Sequence, residues 1–577
     1  MFDTVIRNGT IADGTGKPCY SADVGIREGK IAEIGDLGGA EAKNVIDAGG
    51  RIVAPGFIDI HSHADFVLPE EKHNEILKPL VMQGITTFIG GNCGFSCCFI
   101  PPDRREAILA HLENLNGQSM EKVACWVTPA EYMEHVQKKG MLLNAGILAG
   151  HGTLRIAASG LVTRVLTEEE QKRLERCLDE CMEMGCFGLS TGLQYFPGLQ
   201  SDLEELLGCG KVLKKYGGIL TSHLRSYSHT LDNALDEIFQ VGERTGIAVH
   251  ISHLYWQPYT KGLTAITKAA IQAGSFLYNR LRIPIPIEKG LEPKIKMIEK
   301  KREEGLQITF DMVPTSQGFT ELFAFLPPYA SEGSKSQALE RLKDSAFRKR
   351  VLWDIENVEP DWPHRDGATW SFNYLKMTGW NGLRVMAVAS DHNRWMEGKT
   401  FPEIGKKIGK HPFDVICDLL IEEKGQVMVF HTPTKPDDPF SFRSMWSGFV
   451  HPLSMPSTDT ILRPVGRPAN VFYDCFPRFI EIFVKQKKLL SIEEAIRKCT
   501  SLPAATMKID KRGSLEKGNY ADIVVFDLAR LGTKATFENP AVYPTGIEHV
   551  FVNGEPVVSG GEFIKEALPG MILRPAR

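Results

Sequence analysis

The chain has 577 residues, 43% of them hydrophobic and 24% charged, with a formal net charge of -4 at pH 7. That length buries a sizeable core and accommodates one large domain with a smaller companion, and the ordinary composition argues against disorder. The near-neutral charge offers no basic surface for nucleic acid, and no apolar run approaches the roughly 20 residues that span a bilayer, so the expected partner is a small molecule, not nucleic acid or membrane.

In chain order, MFDTVIRNGTIADG alternates like a strand and turn and has none of the three parts of a secretory signal, which predicts a cytoplasmic protein. Residues 1–54 continue as short strands and turns. Residues 508–577 repeat that texture in ADIVVFDL and GIEHVFVNG. Two β-rich ends flanking a long middle predict one small β-sandwich domain assembled from both termini. The twelve cysteines include no CxxC pair, and in a reducing compartment most read as small buried apolar residues rather than a disulfide framework.

Across residues 55–507, strand candidates alternate with helices. Eight short apolar runs occur, at GFIDIHSH, TTFIGGNCG, LNAGILAGH, CFGLSTGL, GILTSHL, AVHISHL, LQITFDMV and SMPSTD. They predict an α/β fold, a (β/α)8 TIM-like barrel whose functional residues sit at the C-terminal ends of its strands. Thr167 with Glu170 and Ser491 with Glu494 each match the S/T-x-x-E capping box at a helix start. Residues 314–448 are too long for a barrel connection and predict an elaborated lid, which includes the aromatic-rich stretch DWPHRDGATWSFNYLKMTGW.

The metal-capable side chains collect at the predicted strand ends. In GFIDIHSHAD, His61 and His63 stand two apart, so on a strand they share a face while Ser62 points away. Cys93 ends the second strand, His223 the fifth, His253 the sixth and Asp459 the eighth. Imidazole, thiolate and carboxylate are the ligands zinc prefers, and a catalytic site keeps a position for water, whose pKa the metal lowers toward about 7. Asp459 is the candidate base and proton donor, within reach of that water from the eighth strand. Each residue alone also has a bland reading, and Cys93 in GGNCGFS fits a small residue in a glycine-rich turn. His250, three residues before His253, reads as structural on the opposite strand face. His151 in AGHGTLR either orients substrate or closes a supporting hydrogen bond. Asp391 with His392 imitates a strand-end acid but falls inside the lid and would make a ninth strand.

With those residues in place, the chain resembles the amidohydrolase superfamily and, within it, the N-acyl-D-amino-acid deacylases, or D-aminoacylases. The matching pieces, in family order, are APGFIDIHSHAD, GITTFIGGNCGFS, AGHGTLR, GLSTGLQYFPG, TSHLR, ISHL, LPP, EGKTFPEIGKKIGK, HPLSMPSTD, EEAIRKCTSLPA, ADIVVFDL and GIEHVFVNG. The resemblance implies zinc at a site able to hold two ions. Cys93 would bridge, His223 and His253 would complete the tight site, and His61, His63 and Asp459 would line the weaker one. Related hydantoinases bridge with a carboxylated lysine from the fourth strand, but GCFGLSTGLQY contains none. By family position Tyr195 would hold the scissile carbonyl.

There are also departures. Tyr255 stands where these deacylases usually have lysine, Val313 and Phe319 stand where they have tyrosine and serine, and PANVFYDCFPR replaces an HPR motif. Those family residues grip the substrate's α-carboxylate. Arg225, Arg463, Arg467 or Arg478 are the candidates to compensate.

The expected activity is metal-dependent hydrolysis of a non-peptide C–N amide bond in a small-molecule substrate, in the manner of an N-acyl-D-amino-acid deacylase. A cyclic amide, or an N-acyl compound without an α-carboxylate, stays open as substrate. A non-catalytic scaffold is the alternative of another class, although it would need none of the six ligands. A homo-oligomer also stays open.

Overall fold

A computed structural model describes residues 1–576 apart from 118, 119, 284, 364–369 and 464. The apolar runs form strands at Phe57–Asp59, Ile85–Gly90, Asn144–Ile147 continued by Ala149–Gly150, Gly188–Gly192, Ile219–His223, Ala248–Ile251, Ile308–Met312 and Ser454–Pro456. Most are buried at every position, which is why they read as unbroken runs and not as alternation. Neighbours pair in parallel. The third strand breaks at Leu148, so that its first half pairs with the second strand and its last residues with the fourth. The first and eighth strands meet through a parallel bridge between Ser62 and Thr460, flanked by backbone bonds from Asp459 N to His61 O and from His63 N to Thr460 O, both 2.9 Å. The result is a closed TIM-like barrel, and all eight strands end on one rim.

Local sequence explains the helix starts between them. Thr167 and Glu170 form the full reciprocal box ahead of Glu168–Glu183. Ser491 forms only half of one: its hydroxyl accepts from the Glu494 amide at 3.2 Å, but the Glu494 carboxylate turns to the Arg497 guanidinium at 2.7 and 2.8 Å. A charge-assisted bond with a better geometry wins over the N-cap amide.

Both termini contribute to a nine-stranded sheet that forms the β-sandwich. Phe2–Ile11 pairs with Tyr20–Arg27, Ala42–Asp47 and Ile52–Pro55, and Ile52–Pro55 then pairs antiparallel with Ile523–Phe526 from the far end of the chain. Alternate residues serve two cores. Val53, Ile523 and Val525 pack inside the sandwich with Ile6, Val24 and Phe551, while Ile52, Ala54, Val524 and Phe526 join the barrel's core.

Between the seventh and eighth strands the chain builds a separate antiparallel sheet, in the order Gly318–Glu321, Met428–His431, Leu383–Ala387, with helices that include Ser345–Asn357, Phe401–Ile408 and Pro412–Glu422. Residues 364–369 of its aromatic-rich stretch lie outside the described residues. Asp391 opens the short helix Asp391–Met396 with its side chain exposed, and belongs to no barrel strand. The connection between the sixth and seventh strands is also elaborated, by helices Thr264–Leu281 and Glu292–Glu303. Among the described residues no helix is long and apolar enough to cross a membrane.

Candidate metal centre

The rim draws six side chains into two groups that share one thiol. Cys93, His223 and His253 form one group; His61, His63, Cys93 and Asp459 form the other, and within each the ligand atoms lie within 4.8 Å of one another. The first strand's chain leaves its ladder after Asp59, and His61 and His63 then point the same way, each placing Nε2 3.4 Å from Asp459 Oδ1. Cys93, His253 and Asp459 all take left-handed backbone conformations, with φ of 53°, 35° and 50°. Such non-glycine residues cost of order 1 kcal/mol or more each and persist where the surroundings over-determine them, so three of them in one cluster mark strand ends bent to aim side chains at a common point. Glycine makes room for this: a Cβ on Gly192 would lie 2.0 Å from the Cys93 carbonyl oxygen.

The spacing can be tested against an ion. For tetrahedral zinc, Zn–N of about 2.05 Å and Zn–S of about 2.3 Å require ligand edges of roughly 3.3 Å for N···N and 3.6 Å for N···S. The observed edges are 3.0 Å between His223 Nδ1 and His253 Nε2, and 3.7 and 3.5 Å from Cys93 Sγ to those two nitrogens. In the second group the edges are 3.3 Å from Cys93 Sγ to His61 Nε2 and 3.4 Å from each imidazole to Asp459. The donor set and the spacing both fit a zinc site, with Cys93 as the shared corner.

Supporting bonds fix which nitrogen faces the cluster. His223 Nε2 is 3.0 Å from Gln194 Oε1, which leaves Nδ1 turned inward. His61 Nδ1 is 3.3 Å from Asp311 Oδ2, which leaves Nε2 inward. Asp311 is fully buried and also accepts from His250 Nε2 at 2.9 Å, from the His253 amide at 3.0 Å and from Ser457 Oγ at 2.5 Å. His250 is thus part of the network that holds two of the candidate ligands. The opposite-face reading fails because His253 lies beyond the end of the strand Ala248–Ile251, so strand alternation does not carry through to it. Sequence points to neither Asp311 nor Gln194 as a site residue. An acid inside the apolar run LQITFDMV was the available signal, since a buried carboxylate demands partners.

The electrostatics follow. Burial pushes the Cys93 thiol up, but the charge of His61 and the bonds to His223 and His253 outweigh it and hold it well below its ordinary range. Burial likewise opposes charge on His61, yet Cys93 and Asp311 raise it well above the ordinary imidazole value. His63 is lifted against burial to about 9 by Asp459 and Cys93. Burial takes His223 down to about 4, so its lone pair is available. Without an ion the cluster thus favours protons on His61 and His63 beside a thiolate and the Asp311 carboxylate, protons that a bound cation displaces.

Above the cluster opens a cavity of about 500 Å³, with His63, Cys93, His223, His253 and Asp459 in its wall. Tyr195 joins them, its hydroxyl 2.9 Å from Thr320 Oγ1 and its ring 4.6 Å from that of His223. Tyr255 lines the cavity and stacks on Tyr227 at 4.6 Å, and Val313 and Phe319 line it too. The rest is largely aromatic and aliphatic and includes Trp256, Ile271, Phe325, Tyr374 and Phe440.

Four arginines and His151 are not brought there. Arg225 is buried and spends its guanidinium on Glu237 at 2.8 and 2.9 Å and on the Leu199 and Ser201 carbonyls. His151 is buried with Nε2 2.8 Å from Glu205, a carboxylate shared with Arg155. Arg463 donates to the Leu115 carbonyl at 2.6 Å, Arg467 to that of Phe537, and Arg478 pairs with Asp474. Of the lysines and arginines only Lys289 is among the described lining residues, and its side chain is 80% exposed.

Comparison with known proteins settles the family. N-acyl-D-glutamate deacylase of Alcaligenes xylosoxydans xylosoxydans is 30% identical over 555 residues, covering 96% of this chain and 93% of that one. This chain belongs to the amidohydrolase family. The sequence pattern of that family matches residues 373–558. D-aminoacylase of the same organism is 28% identical over 558 residues, covering 96% and 94%. Among solved structures, N-acyl-D-glutamate deacylase from Bordetella bronchiseptica, complexed with zinc and a phosphonate inhibitor, superposes with a TM-score of 0.74 at 26% identity over 99% of both chains. The chain is therefore a family enzyme related over its full length to D-aminoacylases, with a His/Cys cluster able to bind metal.

Proposed function

We propose that this amidohydrolase uses zinc to cleave the amide C–N bond of N-acyl compounds, in the manner of an N-acyl-D-amino-acid deacylase. The observation that carries the reading is the convergence of five candidate ligand side chains on the shared Cys93 thiol in the wall of a cavity. His223, His253 and Cys93 would hold one ion, and His61, His63 and Asp459 with the same thiolate a second, weaker one. When bound, zinc supplies an acidified water and polarises a carbonyl.

The chain's own residues supply the rest. Asp459, whose carboxylate lines the cavity, accepts the proton of the attacking water and passes it to the leaving nitrogen. Tyr195 presents its hydroxyl to the scissile carbonyl. Asp311 and Gln194 keep His61 and His223 in the tautomer that faces the ion. The apolar walls exclude water and seat the acyl group.

One observation favours a second reading of the substrate. A carboxylate buried without a charged partner is costly, and among the described residues the cavity is lined by no arginine and by one lysine, Lys289, whose side chain is 80% exposed. A substrate whose acid is blocked, as an amide or ester, then fits better than a free N-acyl-D-amino acid. Zinc-loaded enzyme assayed with N-acyl-D-amino acids, their carboxamides and hydantoins decides. Release of free amine from the first group supports deacylation of the acids, preference for the carboxamides supports the neutral substrate, and turnover unchanged by a chelator overturns the metal reading.

A further inference from the structure

Helix Thr264–Leu281 is apolar on its outward side and not only where it packs. Inward, Ser275 Oγ and Asn279 Nδ2 each lie 2.7 Å from the Asp438 carboxylate, Gly274 sits against the Phe440 ring and Ile271 lines the cavity. Its outward side carries Ile266, Ala269, Ala270, Ala273 and Phe276, spaced as one helical stripe and all exposed, Ile266 at 64% and Phe276 at 58%. Leu263, Leu281 and Ile283 extend the stripe at 49%, 57% and 44% exposure. Elsewhere among the described residues, large exposed apolar side chains are scattered singly, which is normal; a contiguous patch marks an interaction surface.

Charge says what covers it. Residues 257–287 contain Lys261, Lys268, Arg280 and Arg282 and no aspartate or glutamate, in a chain whose net charge is negative. Lys261, Arg280 and Arg282 are exposed beside the stripe. A second copy of the chain docked face to face would bring these like charges together. An anionic lipid surface satisfies the apolar stripe and its basic border at once, as interfacial helices do. The same segment leads to the cavity, since Ile271, Pro286 and Ile287 line it.

We propose that the outward face of Thr264–Leu281, with Leu263, Leu281 and Ile283, rests on an anionic lipid bilayer and sets the mouth of the active-site cavity at the membrane surface. Sequence alone pointed away from membranes because it offered no spanning run; a helix lying on the surface needs only an exposed stripe.

The test is co-sedimentation of the full-length protein with vesicles of phosphatidylcholine alone or mixed with phosphatidylserine, alongside sedimentation velocity without lipid. The expected result is binding to the mixed vesicles. It should weaken tenfold or more in the Ile266→Ser/Phe276→Ser double variant, and by about fivefold per charge in Lys261→Glu and Arg282→Glu. All four positions are exposed, and the charge variants remove no apolar contact, so a loss in both sets does not reflect misfolding. Failure of the wild-type protein to bind either vesicle overturns the proposal. So does a lipid-free dimer that dissociates in the double variant, which would assign the face to a second copy. Neither outcome bears on the amide hydrolysis above.

Discussion

Asp311→Asn is the sharpest probe of how the site is held. The carboxylate takes hydrogen bonds on both oxygens: Oδ2 faces His61 Nδ1 at 3.3 Å and His250 Nε2 at 2.9 Å, and Oδ1 faces the His253 amide at 3.0 Å and Ser457 Oγ at 2.5 Å. The backbone amide of His253 can only donate, so asparagine keeps its carbonyl oxygen on that side and presents its NH2 to the two imidazoles. His61 then accepts on Nδ1 and carries its proton on Nε2, the nitrogen 3.3 Å from Cys93 and 3.4 Å from Asp459. An ion that ligates Nε2 must then drive that proton to Nδ1, where it meets the asparagine NH2 instead of a carboxylate.

Loss of such an orienting partner typically costs 10–100-fold in metal affinity, or about 1.4–2.7 kcal/mol. At zinc a thousandfold above the wild-type Kd, the ion stabilises the fold by about 4.1 kcal/mol, and a hundredfold weaker site retains only about 1.4 kcal/mol. The assay is competition for zinc against a chromophoric chelator, with thermal unfolding recorded with and without metal. His61 belongs to the group with His63 and Asp459, so the second equivalent of zinc should weaken more than the first. If the variant bound both equivalents within twofold of wild type, the tautomer argument would be refuted.

Three other outcomes follow from the same geometry. Asp459→Asn should retain zinc at Cys93, His223 and His253 and lose activity by about 10²–10⁴-fold, the usual worth of a positioned acid–base group; equal turnover at equal zinc content would remove Asp459 from the proton path. Arg225→Met removes the guanidinium that meets Glu237 at 2.8 Å and donates to the Leu199 and Ser201 carbonyls, and should destabilise by about 3–5 kcal/mol in denaturant titration while KM stays fixed; a raised KM with unchanged stability would return Arg225 to substrate binding. His111 is buried against Phe95 and held by burial down to about 3. The unfolded chain therefore gains a proton near pH 6.5 that the folded state refuses, and stability falls as pH drops below that value, by about 1.4 kcal/mol per pH unit for this one group. His111→Phe should flatten the stability profile between pH 6 and 4 by that slope, and an unaltered profile measured by urea unfolding would contradict the assignment.

The barrel and its metal-capable rim were legible because both rest on local signals. Strands buried on every side appear as short apolar runs, and a closed barrel brings their ends together however far apart they lie in the chain. Residues that act through a partner were harder to read. His151 has the same strand-end look as His223, yet Glu205, 54 residues later on helix Leu203–Tyr216, takes its ring nitrogen. Arg225 sits two residues past a candidate ligand and is claimed by Glu237, one helix later. Asp311 shows the reverse: its four donors come from the first, sixth and eighth strand ends, and no window of sequence contains them together.

The candidate metal cluster and the cavity walls come from different parts of the chain. The six candidate ligands stand on barrel strand ends, braced by buried partners, and their spacing follows from ladder register and a few left-handed turns. The cavity walls come mostly from two elaborated connections, after the sixth and seventh strands, which contribute Ile271 and Ile287 from one and Phe319, Tyr374 and His431 from the other. His431 illustrates the consequence. Burial, with His223 and His253 nearby, takes its imidazole down to about 3, and its ring packs 5.0 Å from Tyr374 and 5.4 Å from Phe325, so it faces the cavity as a neutral aromatic surface and not as a cation. Substituting walls of this kind changes what is admitted without moving a ligand atom. That division lets the candidate metal cluster stay in place while Tyr255, Val313 and Phe319 vary the cavity wall.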